Sequence, residues 1–199
     1  MLKSHGRYDY SAITERKDYS WPGGKRLAIH LSLNVEHFAF GEGLGNDYAA
    51  PQAQPNVRSF AWRDYGNRVG IYRIMKALQK HGIPATVAVN AAVAVRYPAL
   101  IQQCNQQGWE IMANGLDMDH LHHGGLSADE EKKWVDQTLS ILRKASGQAV
   151  RGWLSPAKSE SFNTPDILAA AGLDYVCDWV NDDMPYPMHT TSKTLVAMP

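Results

Sequence analysis

The chain is poor in cysteine. Its 199 residues hold only Cys104 and Cys177, with no Cys-x-x-Cys pair or cysteine–histidine framework around either. That excludes a disulfide-stapled fold and a cysteine-rich zinc module, and both thiols read as reduced core residues. Neither has a neighbouring histidine to activate it, which argues against thiol catalysis. An excess of one charge is also missing, because 20 Lys plus Arg balance 20 Asp plus Glu. With no net charge and no basic stripe, the chain has no field to gather nucleic acid or an anionic membrane, so the expected partner is a small-molecule substrate. No apolar run approaches the roughly 20 residues that cross a bilayer. The segment Met1 to Tyr10, with Lys3, Arg7 and Asp9, lacks a signal-peptide core. These absences predict a cytoplasmic protein without a membrane partner. A phosphate-cradling loop is missing too: Gly41-Glu42-Gly43-Leu44-Gly45 lies in an irregular stretch rather than between a strand and a helix.

What the chain does have is alternation. Its length suits one domain, so residues 1–199 read as a single unit. Residues 1–25 form an arm that ends in the turn-forming Trp21-Pro22-Gly23-Gly24. Arg26 to Asn34 is apolar at every second position and reads as a strand delivering Asn34 and Glu36 at its end. Residues 38–63 read as a long loop. Tyr65 to His81, with Val69, Ile71, Ile74, Met75 and Leu78 on one stripe and Gly82 as stop, predicts a helix. Strands follow at 84–90, 109–113, 149–154 and 173–177. Helices are expected at 91–107, at 129–146 behind a Ser127 cap, and after Thr164-Pro165, with Thr164 as cap. Such strand–helix repetition predicts an α/β fold with a mostly parallel sheet and chemistry at the strand C-termini.

The residues at those strand ends are Asn34-Val35-Glu36-His37, Ala113-Asn114-Gly115, Arg151-Gly152-Trp153-Leu154-Ser155-Pro156 and Asn181-Asp182-Asp183-Met184-Pro185-Tyr186. Together with a helix that ends in Gly82 before Ile83-Pro84-Ala85-Thr86, they resemble the polysaccharide-deacetylase (NodB-like) superfamily of carbon–nitrogen hydrolases. The nearest branch by motif is the metal-independent, allantoinase-like one. The resemblance implies a distorted, incomplete (β/α) barrel. The family's late histidine-bearing strand has no counterpart here, which gives the expectation of a barrel truncated at the C-terminus. Metal-dependent members carry an aspartate pair after the first strand and histidines after the third. This sequence has Asn34 and Glu36 at the first place and Asn114-Gly115 at the second, a poor zinc set.

The resemblance implies hydrolysis of a small cyclic amide, ureide or N-acetyl group without a cofactor. Glu36 would assist water attack and Asn34 would position the carbonyl. His37, Asn114, Arg151, Trp153, Asp182 and Asp183 are the expected substrate contacts. For Arg151 and Trp153 the plainer reading is a structural ion pair and a core tryptophan. For Asp182 and Asp183 it is a solvated turn. His120, His122 and His123, near Asp117 and Asp119, offer zinc or another divalent ion as an alternative, against an exposed loop. A degenerate, non-catalytic scaffold is the competing function. An unfinished barrel would expose a strand edge, so a homo-oligomer is expected.

Overall fold

The computed structural model describes residues 4–42 and 55–199. Among these, a seven-stranded sheet runs in the order β1-β2-β3-β4-β5-β7-β6. The strands are β1 (Ser32–Val35), β2 (Thr86–Val89), β3 (Glu110–Ala113), β4 (Gly152–Trp153), β5 (Tyr175–Val176), β6 (Tyr186–Met188) and β7 (Leu195–Ala197). Every neighbouring pair is parallel except β6 with β7. β1 and β6 stand at opposite edges, so the sheet is an open, partial barrel.

Alternation along each strand sorts residues to two faces. Leu33, Val35, Val87, Val89, Ile111, Ala113, Trp153 and Val176 join the main core under the helices. The opposite face carries the smaller cluster of Ala88, Met112 and Leu154, with Tyr175 and Cys177 against it. At its lower end the Tyr175 hydroxyl donates to Glu110 Oε1 at 2.8 Å, and Thr86 Oγ1 donates to Glu110 Oε2 at 3.1 Å. Tyr175 crosses where Gly152 has no side chain; a Cβ at Gly152 would overlap the phenol ring.

The helices are α1 (Val57–Tyr65), α2 (Ile71–Lys80), α3 (Ala91–Arg96), α4 (Pro98–Gln106), α5 (Ala128–Ser146) and α6 (Thr164–Ala170). α5 carries the signals expected of it. Ser127 Oγ accepts from the Glu130 N–H at 3.3 Å, acids fill the first turn, Arg143 and Lys144 the last, and Gly147 closes it with φ 71°. A wider π turn, Gly66–Gly70, joins α1 to α2.

Several boundaries differ from the sequence pattern. The 38–63 loop holds α1 from Val57 onward. Residues 43–54, including Gly43 to Gly45, lie outside the described residues. β1 begins only at Ser32, where pairing with Thr86 starts, so Leu27 and Ile29 are left exposed. The helix expected at 91–107 breaks at Tyr97 (φ −130°, ψ 60°), because Pro98 disfavours helical backbone in the residue before it. Thr164 is the first residue of α6 rather than its cap; Asn163 takes that position.

Candidate functional site

The parallel strands release their next residues at one end of the sheet. Just beyond β1, Glu36 Oε1 accepts from Asn34 Nδ2 at 3.3 Å and from Asn114 Nδ2, beyond β3, at 3.4 Å. Asn67, on the π turn, donates Nδ2 to the Glu36 carbonyl at 2.8 Å. Asn90 fixes the neighbouring backbone: its Oδ1 accepts from the His37 N–H at 2.7 Å, and its Nδ2 donates to the Asn114 carbonyl. Asn34 and Glu36 contribute to a cavity of about 380 Å³ whose walls include Phe38, Arg63 and Asn67. Asn114 is fully buried, and among the described residues its Oδ1 has no hydrogen-bond partner. A buried acceptor left open is costly.

The same end holds two further polar groups beyond β4 and β5. Ser155 N–H donates to Asp178 Oδ1 at 2.7 Å, and Trp179 Nε1 donates to Glu160 Oε1 at 2.9 Å. Burial and the neighbouring Asp178 push the Glu160 carboxyl up to about 9, and burial also raises Asp178. Next to them lies a sealed network. Glu131 on α5 pairs through Oε1 with His122 Nδ1 at 2.7 Å and accepts from the Ser161 and Thr164 hydroxyls. Burial alone would raise the Glu131 carboxyl; those bonds outweigh it and hold it below the usual range.

Of the expected site residues, the structure brings together Asn34, Glu36 and Asn114. His37 follows directly and also lines a cavity of about 490 Å³ with Arg96, Asp117 and His120. There burial, with Arg96, lowers its basicity. Arg151 is corrected. It precedes β4, at the other end of the sheet, and its exposed guanidinium pairs with Asp174 at 3.3 Å. Trp153 is also corrected. It is a fully buried core residue on the helix side, with Nε1 donating to Ser155 Oγ and its ring edge-on to His122. The Asp182 carboxylate is engaged by Arg16 of the N-terminal arm through two bonds of 2.7 Å, and Asp183 is exposed beside it.

The three histidines do not converge. His122 is buried on Glu131, His120 pairs with Asp117 at 2.7 Å, and exposed His123 accepts from the Gly125 N–H. Among the described residues no group of three or more His, Cys, Asp or Glu could hold a metal ion. Around Glu36 the other donors are neutral amides, so this donor set does not suit zinc.

Sequence reasoning missed Asn67, Asn90 and the Glu160–Asp178 pair. Asp178-Trp179 stood beside the Asn181 to Tyr186 motif, but nothing in the pattern joined it to Glu160.

An open, parallel-stranded partial (β/α) barrel with polar residues gathered at its strand C-termini defines the class. Within it, a family profile described as polysaccharide deacetylase matches residues 63–176, more than half of the chain, and the chain belongs to that family. A Schizosaccharomyces pombe protein assigned to the polysaccharide deacetylases is 23% identical over 172 residues, 82% of this chain and 52% of the relative. The chain thus spans about half the length of that curated relative. Among solved structures, PuuE allantoinase superposes with TM-score 0.77 at 25% identity, covering 96% of this chain and 69% of its own. A Mycobacterium smegmatis protein assigned to the polysaccharide deacetylases gives TM-score 0.75 at 25% identity, covering 91% and 61%.

Proposed function

We propose that this protein hydrolyses a non-peptide carbon–nitrogen bond in a small amide, ureide or N-acyl substrate without a metal. The observation that carries the proposal is the Glu36 carboxylate held by the amides of Asn34 and Asn114, beside the open, buried Asn114 Oδ1. An ionised carboxylate is an acceptor and can take a proton from water. Asn34, which is exposed, has an amide to offer the substrate carbonyl as charge develops on it. Asn114 Oδ1 would receive a substrate N–H. The likeness to a polysaccharide deacetylase and to an allantoinase supports this bond class, and the polar cluster supports the metal-free route. Turnover of a panel of allantoin, hydantoins, cyclic imides and N-acetyl sugars tests it. Ring opening or deacetylation of at least one compound is expected; no turnover of any by the folded protein would overturn it.

The same reading takes the protein as a homo-oligomer. The side of β1 that is unpaired among the described residues and the exposed Leu27 and Ile29 leading into it support association at that edge.

A further inference from the structure

Glu36 directly follows β1 and is half-buried, and the bonds to its side chain are long, 3.3 Å from Asn34 and 3.4 Å from Asn114. Hydrogen bonds of that length hold a carboxylate loosely. The backbone around it is held more firmly. The Val35 carbonyl accepts from the Asn90 N–H at 3.2 Å, and the His37 carbonyl accepts from the Met118 N–H at 3.0 Å. Between them lies the peptide that joins Glu36 to His37, and both of its polar groups are bonded to side-chain amides. Asn67 Nδ2 donates to its carbonyl at 2.8 Å, and Asn90 Oδ1 accepts from its N–H at 2.7 Å.

The two asparagines come from different elements. Asn90 directly follows β2 and is fully buried, and its Nδ2 donates to the Asn114 carbonyl, so one side chain ties the backbone beyond β1 to the backbone beyond β3. Asn67 is the second residue of the π turn between α1 and α2. It is half-buried and lines the same cavity of about 380 Å³ as Asn34 and Glu36. A π turn departs from α geometry and recurs at functional sites. Here it carries the amide that reaches the Glu36 carbonyl. With both ends of one planar peptide bonded, the peptide cannot rotate freely, and the direction in which the Glu36 side chain leaves the backbone is fixed with it.

We infer that Asn67 and Asn90 are positioning residues for the reaction: they clamp the Glu36–His37 peptide and so aim the Glu36 carboxylate at the water it deprotonates. This rests on the hydrolase reading above. Neither amide takes a proton in this role; each acts through the backbone of Glu36. A general base must lie within hydrogen-bond reach of its proton, and a misplacement of about 1 Å is enough to cost much of the rate. Substrate binding draws on the rest of the cavity, so the loss falls on kcat rather than on KM.

Asn90 is fully buried, so its variants report on folding first, and the kinetic test falls on half-buried Asn67. Asn67→Leu removes the donor at similar side-chain volume. On the best panel substrate it is expected to lower kcat by about 10- to 100-fold, with KM within about threefold of the parent's. Asn67→Gln keeps an amide donor and should recover most of that loss. Thermal melts show whether both variants fold. Amide hydrogen exchange reads the clamp without any substrate. The His37 N–H lies outside every strand and helix, yet in the parent it should exchange about 100-fold slower than a free amide, and faster in Asn67→Leu. If it exchanges at the free rate in the parent, the clamp is refuted whatever the activity. If Glu36→Gln is inactive while folded Asn67→Leu keeps the parental kcat, the positioning role is refuted and the hydrolase reading stands. Asn67→Gln as slow as Asn67→Leu would also refute it, because the donor would then not set the rate. A parent that turns over no panel compound overturns both the hydrolase reading and the positioning role.

Discussion

The Glu131 carboxyl shows how much one buried acid organises. Its side chain is fully buried, and it ties α5 to His122 and to Ser161 and Thr164 at the start of α6. Removing it strands His122 and two hydroxyls in the interior, so Glu131→Ala should cost about 3–5 kcal/mol in urea denaturation. A cost under about 1 kcal/mol would refute this view of the network. The pH dependence has a definite sign. A carboxyl depressed in the folded state stabilises fully above the ordinary carboxylate range, and that contribution drains away as pH falls through and below it. The stability of the parent should therefore fall in acid more steeply than that of Glu131→Ala, as paired urea titrations would show.

At this scale the sequence was readable where position alone decides. Asn34 is the next-to-last residue of β1, Glu36 and Asn114 directly follow β1 and β3, and parallel strands deliver their ends to one place. Arg151 misled because it stands before its strand rather than after it. The pairing of Asp182 was not legible because its partner, Arg16, lies 166 residues away in the chain. The Glu160–Asp178 pair was unreadable for a similar reason. Only the turn after β4, with two non-glycine residues at positive φ, brings Glu160 back to the end of β5.

Among elements, the contact between β4 and β5 gives the sharpest test of packing. A Cβ on Gly152 would overlap Tyr175, whose hydroxyl is held by Glu110. Gly152→Ala should destabilise by about 1–3 kcal/mol, as overpacked positions do. In a Tyr175→Leu background most of that penalty should vanish, because the overlapping atoms are gone. A double-mutant cycle with additive costs would contradict this contact. The helices with strong local signals were the most legible. α5 begins and ends within a residue of where its Ser127 cap and Gly147 stop placed it. The strands were overextended, since apolar alternation continues through Leu27 and Ile29 although no neighbouring strand among the described residues reaches them. Alternation reports which face a residue takes; it does not report where pairing begins.

Over the whole molecule, the N-terminal arm and the sheet edges matter most. Arg7 reaches Asp166 at 2.7 Å, Arg16 clasps Asp182, and Asn181 donates to the Tyr8 hydroxyl, so the arm is fastened across the β5–β6 side. Among the described residues the β1 edge has no such cover, with Leu27 72% and Ile29 84% exposed. Size-exclusion chromatography with light scattering at micromolar concentration should give a dimer or larger species, and replacing both residues with lysine should return a monomer. A monomeric parent would contradict the proposed association. Among the described residues no helix is long and apolar enough to cross a membrane.

The central claim is that Glu36 activates water without a metal. Its most direct test compares hydrolysis of the best panel substrate by chelator-treated parent, with and without added zinc, and by Glu36→Gln. The account predicts parental turnover that survives chelation, does not rise with zinc, and falls by about 100-fold or more in the variant. Turnover that appears only when zinc is added, or that persists in Glu36→Gln, would contradict it.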